Sequence, residues 1–94
     1  MSVEVRHDEA QNQYTILDGD RPVGFAAYQI TGNEIAFTHT EVDPSEQGKG
    51  LAAVLVQHAL DDVAANTEFR VVPACSYVEM FVKKNAQYEE LTRR

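Results

Sequence analysis

The chain has 94 residues, enough for one domain (residues 1–94) with a modest core, and no stretch approaches the ~20 apolar residues of a membrane-spanning helix. Its net charge of −7 serves solubility or favours cationic partners such as amines; it disfavours nucleic acids and anionic membranes, whose phosphates need many Lys and Arg partners. The single cysteine, Cys75, excludes an intramolecular disulfide and a zinc site of paired cysteines, and no metal site is expected. The sequence shows no signal-peptide pattern, which favours a cytoplasmic location.

The first half of the chain is predicted to form four strands. Apolar and polar residues alternate over Val3–His7 and Tyr14–Asp18, which is the period of a half-buried strand. Two further strand-like segments follow, Val23–Ile30 and Glu34–Val42. The turn signals "DGDRP" and "TGN" make the links short, so we expect an antiparallel meander.

The second half alternates helix and strand. Leu51–Asn66 has the apolar spacing of a helix, Glu68–Val72 is predicted to be a short strand, and Ser76–Lys84 is predicted to be a second helix. The helical spacing predicts the apolar face of that second helix: Tyr77, Met80 and Phe81. The order β-β-β-β-α-β-α predicts an α+β fold with two helices and a mixed, mostly antiparallel five-stranded sheet. The helix between the fourth and fifth strands is a crossover, so those strands should be parallel.

Two glycines separate the fourth strand from the first helix, in the segment "DPSEQGKG". The first N–H groups of a helix lack intrahelical partners and carry a partial positive charge. Gly48 and Gly50 permit positive φ and let an anion approach the backbone without meeting a Cβ, and Lys49 adds a charge. The spacing matches neither the P-loop nor the dinucleotide-binding motif. The segment therefore indicates a phosphate site, or a plain helix start without a ligand.

The segment "QGKGLA" (Gln47–Ala52) fits the acetyl-CoA-binding pattern [Gln/Arg]-x-x-Gly-x-[Gly/Ala], and the chain resembles the GCN5-related N-acetyltransferases. It is similar to their small single-domain branch, which carries His-Thr-x-Val and Val-Pro-x-Cys-x-[Tyr/Phe]-Val; here these segments are "HTEV" and "VVPACSYV". The resemblance covers roughly Val23 to Leu91. It departs where the branch closes with His-Pro-x-Tyr, because Asn85-Ala86 stands in place of His-Pro.

The resemblance implies acetyl-CoA as cosubstrate, bound where the parallel fourth and fifth strands separate. The loop amides are expected to hold the CoA pyrophosphate and a fourth-strand N–H to meet the thioester carbonyl. The positions implied for CoA binding are Val42, Gln47, Gly48, Lys49, Gly50, Leu51, Ala52 and, at the nucleotide end, Asn85.

Four residues are candidates for the proton transfers or the chemistry of acetyl transfer. Glu41, at the end of the fourth strand, is the expected base or a solvent-facing residue, and His39 on the same face is a proton relay or a packed side chain. Cys75 is a nucleophile, a residue that lines the site of the CoA sulfur, or a buried structural thiol. Tyr77 is the expected acid for the leaving thiolate, or a core residue.

Three functions remain open on the sequence. The first is an acetyl-CoA-dependent N-acetyltransferase whose amine acceptor is a small molecule or a protein. The second is a CoA-binding module with little or no transferase activity, and the third is a structural α+β domain without a ligand. In this branch the helices that usually wall the acceptor groove are missing, which leaves the acceptor side open to a large acceptor such as a protein amine, or to a dimer partner that completes the wall. The chain is expected to be a monomer or a homodimer.

Overall fold

The structure, a computed structural model, describes residues 3–94. The strands are β1 (Val3–Asp8), β2 (Gln13–Asp18), β3 (Arg21–Thr31), β4 (Glu34–Val42) and β5 (Arg70–Val72). The helices are α1 (Leu51–Asn66) and α2 (Ser76–Lys84), with 3-10 segments at Glu9–Gln11, Pro44–Glu46 and Ala86–Arg93. In the part of the chain so described, no helix is long and apolar enough to cross a bilayer.

The five strands form one sheet in the order of the chain, β1-β2-β3-β4-β5. The first four are antiparallel neighbours, joined by short turns, and β5 lies parallel to β4 after the α1 crossover. The predicted mixed, mostly antiparallel five-stranded sheet with a parallel last pair is therefore confirmed.

The hydrophobic core lies between one face of the sheet and the helices. Helix α1 buries one side along its whole length: Leu51, Leu55, Val56, Ala59, Leu60 and Val63. The sheet contributes large buried side chains, among them Ile16 and Phe37, and β5 adds Val71. This packing holds the start of α1 against the end of β4, which is where the candidate site lies.

Helix α2 buries a different face from the one predicted. Val78 and Val82, at i and i+4, are buried, whereas Met80 is 42% exposed. Tyr77 and Phe81 are half-buried and stack on each other at the edge of the core. The prediction for Met80 was wrong because a nine-residue helix allows two overlapping apolar faces, and the packing partners decide between them.

One boundary and one additional element near the C-terminal end also differ from the prediction. Strand β5 begins at Arg70 instead of Glu68, because the Thr67 hydroxyl accepts from the Phe69 N–H and keeps that amide out of the sheet. Residues Ala86–Arg93 form a third helical segment beyond the two predicted helices, and Tyr88 and Leu91 are buried in it. Their spacing of three residues matches one turn of a 3-10 helix.

Candidate functional site

The glycine segment exposes the N-terminus of α1. Gly48 and Gly50 have φ values of 88° and 74°, which L side chains rarely adopt. Gly50 is the N-cap of α1, no side chain caps the helix, and its first turn has no acidic residue. A Cβ added at either glycine would meet nothing within 4 Å. The free amides of a 16-residue helix therefore face open space with the positive end of the helix dipole behind them.

Strands β4 and β5 separate beside this helix end. They pair only over Glu34–Ala36 and Arg70–Val72, and the Cys75 N–H then donates to the Phe37 carbonyl at 2.8 Å. Beyond Phe37, β4 continues to Val42, while the segment that follows β5 turns into α2. The parallel pair therefore opens into a cleft towards the glycine segment.

The open edge of β4 presents the backbone of Val42. The Asp43 N–H donates to the Val23 carbonyl of β3 at 2.7 Å. Because successive N–H groups of an extended strand point to opposite sides, the Val42 N–H points away from β3, towards the cleft. The Gln47 side-chain amide donates to the Val42 carbonyl at 3.4 Å, which ties the glycine segment to the strand end.

A narrow recess of about 170 Å³ lies between the strand end and the helix start. Its walls are residues of β4, the glycine segment, the first turn of α1 and the start of α2: Val42, Glu46, Gln47, Gly48, Gly50, Leu51, Ala52, Ala53 and Tyr77. The recess is thus lined by the start of α1, with its free amides, on one side and by the side chain of Tyr77 on the other. An anionic group with an apolar extension fits this chemistry.

A β-bulge in β4 turns His39 and Glu41 away from the core. Phe37 pairs with Tyr28, but His39 pairs with Ala27, so Thr38 is one extra residue. Side chains alternate along a strand, so without the bulge Phe37, His39 and Glu41 would share one face. With it, Thr40 and Val42 lie on the core side, and His39 and Glu41 are exposed on the opposite face.

A wider recess of about 630 Å³ crosses the ends of β2, β3 and β4 on that exposed side. Glu41 and Asp43 are part of its lining, together with Phe25, which pairs with Glu41 across the strands. The two recesses share Val42 and Gln47. They therefore meet at the end of β4, one from each side of the strand.

Glu46 is the one buried charged residue among those the structure describes. Lys49 Nζ donates to its Oε1 at 3.2 Å, and Arg21 Nη2 lies 3.5 Å from its Oε2. The hydrogen bond from Lys49, together with the charge of Arg21, holds the pKa of Glu46 below its usual range. The sequence does not indicate that Glu46 is buried, because "SEQ" is typical of a polar loop. Its partners Arg21 and Lys49 lie before and after that segment in the chain.

The thiol of Cys75 and the hydroxyl of Tyr77 flank the cleft between β4 and β5, and the pKa of each is shifted from its ordinary value. Burial raises the pKa of Cys75, but the Thr40 hydroxyl and the nearby amides of Val78 and Tyr77 lower it by more, so it lies below that of an ordinary thiol. Cys75 Sγ lies 3.6 Å from Thr40 Oγ1. Burial raises the pKa of Tyr77, so its hydroxyl is protonated at neutral pH.

A family model described as GCN5-related N-acetyl-transferase matches residues 13–91, which is most of the chain. The chain belongs to this family. Protein NATD1 of Bos taurus is 33% identical over 93 residues, covering 97% of this chain and 81% of that protein. Protein NATD1 of Homo sapiens is 31% identical over 93 residues, with the same coverage of 97% and 81%.

A solved N-acetyltransferase structure has a similar fold. The crystal structure of the ribosomal-protein-S18-alanine N-acetyltransferase from Escherichia coli has a TM-score of 0.62 to this chain at 19% identity. The match covers 79% of this chain and 50% of that enzyme, so the chain spans half of its length.

The structure brings together most of the positions expected from the GCN5-related pattern. Val42, Gln47, Gly48, Gly50, Leu51, Ala52 and Tyr77 line the narrow recess, and Glu41 lines the wide one. Lys49 is paired with Glu46 at the rim. Four of the predicted residues line neither recess: Lys49, His39, Cys75 and Asn85. His39 is exposed on the sheet, Cys75 contacts the Thr40 hydroxyl, and the Asn85 side-chain amide donates to the Phe81 carbonyl at 2.9 Å at the end of α2. The roles of all these residues stay predictions.

Proposed function

We propose that the protein is an acetyl-CoA-dependent N-acetyltransferase. The observation that carries this proposal is the opening of β4 from β5 beside a helix N-terminus exposed by two glycines at positive φ. Membership of the GCN5-related family and the shared wall of the two recesses support it. One recess suits an anionic cosubstrate, and the other, lined by carboxylates, suits an amine.

The amides of the Gln47–Ala52 segment hold the CoA pyrophosphate at the start of α1 in this proposal. The fit rests on the space around Gly48 and Gly50, where a phosphate oxygen would meet backbone N–H groups and no Cβ. Lys49 adds a positive charge at the rim. When bound, acetyl-CoA supplies an activated thioester between the separated strands.

The residues at the end of β4 act on the acetyl transfer. The Val42 N–H donates to the thioester oxygen, where negative charge develops as the amine nitrogen attacks the carbonyl carbon. Glu41, directly or through water, takes the proton that the amine loses. As the carbon–sulfur bond breaks, the Tyr77 hydroxyl donates a proton to the leaving thiolate. Tyr77 then regains a proton from solvent and Glu41 releases the proton it accepted, so the protein ends in its starting state.

A covalent route through Cys75 competes with this direct transfer. The lowered pKa of Cys75 favours its thiolate, which would attack the thioester carbonyl carbon and displace CoA as its thiolate. The amine would then attack the acetyl group on Cys75, lose its proton to solvent and release the Cys75 thiolate. Mass spectrometry of the intact protein after mixing with acetyl-CoA separates the two routes. A gain of one acetyl group that disappears in Cys75→Ala supports the covalent route, and an unmodified protein with full activity in Cys75→Ala excludes it.

Thermal unfolding with and without acetyl-CoA tests the proposal. A ligand at one hundred times its Kd stabilises the native state by about 2.7 kcal/mol. For a domain of this size that corresponds to a rise in Tm of about 10 °C or more. We expect such a shift, followed by release of free thiol on addition of amines. The absence of a shift at millimolar acetyl-CoA contradicts the proposal.

A CoA-binding module without transferase activity is the second candidate. It is favoured by the exposure of Glu41 and by the openness of the sheet face on which the wide recess lies. Water in such a site competes with the acceptor and weakens the electrostatic contacts of the transition state. A melting shift without thiol release from any amine or peptide supports this candidate.

A further inference from the structure

The wide recess carries more negative charge than acetyl transfer requires. Glu41 and Asp43 both lie in its lining, and of the residues that the structure describes no Lys or Arg does. In the proposed function Glu41 takes the proton of the reacting amine. Asp43 has no part in that chemistry, so its charge is available for another group of the acceptor.

The charge of Asp43 persists at neutral pH and is not cancelled by a direct partner. The Ser45 N–H and hydroxyl donate to its Oδ1 at 3.0 and 2.9 Å, and these bonds, with a smaller effect of the Arg21 charge, hold the pKa of Asp43 below its usual range. The guanidinium of Arg21 pairs with Glu46, as does Lys49. Both cations therefore bind the buried glutamate, and among the described residues neither bonds directly to Asp43.

An aromatic ring completes the surroundings of a cation in the recess. Phe25 pairs with Glu41 across β3 and β4, so both side chains lie on the same face, and Phe25 is half-buried. The face of an aromatic ring attracts ammonium and guanidinium groups. Two carboxylates and a ring at one end of the sheet favour a cation over a neutral or anionic group.

We infer that the amine acceptor carries a second cationic group, which Asp43 holds beside the reacting nitrogen. This inference rests on the proposed function. Glu41 and Asp43 are two residues apart on extended backbone, so their Cα atoms are roughly 7 Å apart. An aliphatic diamine supplies two amines at that separation, and so does a lysine next to a basic residue in a peptide.

Acetyl transfer to matched acceptors tests the inference. Free-thiol release compares n-butylamine with putrescine, and a lysine between two glycines with the same lysine between two arginines. We expect kcat/KM to be about tenfold higher for the dicationic member of at least one pair, from one ion pair and one ring contact. The pair with the larger ratio distinguishes a diamine from a basic peptide as the source of the second cation.

Charge-neutral variants assign the preference to Asp43. Asp43→Asn keeps an oxygen for Ser45 but removes the charge, so the preference should fall to about two- or threefold. Glu68→Gln, which neutralises an exposed carboxylate outside the recess, should keep the full preference. Equal rates for monocationic and dicationic acceptors, or a preference that Asp43→Asn leaves intact, overturn the inference.

A binding measurement keeps the inference separate from the proposed activity. Amide chemical shifts are recorded while putrescine is added to the protein with and without CoA. If no amine is acetylated but putrescine moves the amides around Asp43 in the wild type and not in Asp43→Asn, the cation subsite stands and the transferase proposal fails. If amines are acetylated without preference and putrescine moves no amide at the recess, the transferase proposal stands and the cation subsite fails.

Discussion

A methyl group at Gly50 separates the strain of the glycine segment from its role in binding. In Gly50→Ala the new Cβ meets no protein atom within 4 Å, so no clash arises. The cost comes from the φ of 74°, which is worth about 1–2 kcal/mol for an L side chain. The lower entropy of the unfolded alanine chain offsets part of it. We expect a loss of about 1 kcal/mol, or roughly 4–8 °C in Tm.

The effect on acetyl-CoA should exceed this loss of stability. The methyl would occupy the space in front of the first α1 amides and push a phosphate oxygen away from at least one of them. A hydrogen bond to a charged group contributes about 1.5–3 kcal/mol, so affinity should fall about tenfold or more. Isothermal titration of acetyl-CoA into folded protein measures this directly, at a temperature well below the Tm of the variant.

Gly32→Ala is the matched control for Gly50→Ala. Gly32 lies in the β3–β4 turn with a φ of 59°, and its added Cβ also meets nothing within 4 Å. It should lose the same stability and keep the affinity of the wild type. If both variants bind acetyl-CoA equally well, the amides at Gly50 do not hold the pyrophosphate and our reasoning about the loop is refuted.

Three further predictions concern the strand end, the proposed acid and the pH dependence of stability. Gly24→Ala should cost about 1–3 kcal/mol in urea unfolding, because its Cβ would lie 2.7 Å from the Glu41 carbonyl oxygen and force β3 and β4 apart; an unchanged midpoint would show that the strands yield freely. Tyr77→Phe should lower kcat by a factor of about a hundred or more with little change in acetyl-CoA affinity, and an unchanged kcat in single-turnover assays would remove Tyr77 as the acid. Tyr14→Phe should cost about 1.5–3 kcal/mol at pH 7, because the Tyr14 hydroxyl donates to Asp62 Oδ2 at 2.6 Å. Burial alone would raise the pKa of Asp62, but the bonds from Tyr14 and Asn66 hold it below its usual range; its contribution is therefore complete above about pH 4 and lost as the pH falls through the folded pKa. The difference between wild type and Tyr14→Phe in chemical denaturation should shrink below pH 4, and a constant difference would contradict this assignment.

The order of elements was predictable because each element has a strong local signal. The alternation in the first strands and the long apolar pattern of α1 fix their type, and the crossover requires β5 to be parallel to β4. The bulge at Thr38 has no such signal in "FTHTEV". It decides that Glu41 faces the wide recess, and only the pairing of β3 with β4 reveals it.

The loop positions of the candidate site were also predictable, since glycine spacing before a helix is a local property. Contacts from distant segments were not. Glu46 is paired with Arg21 at the start of β3, and the side-chain amide of Asn85 is bonded to the Phe81 carbonyl at the end of α2. Such placements depend on how the segments pack, which periodicity and spacing do not encode.

The most direct test of the central claim is an amide chemical-shift titration with CoA. We predict that the largest changes fall on Gly48, Gly50 and Leu51 and on Val42 at the open edge of β4, because the pyrophosphate binds at the α1 amides beside the separated strands. Saturating changes confined to other parts of the sheet, or no change at millimolar CoA, would contradict the account.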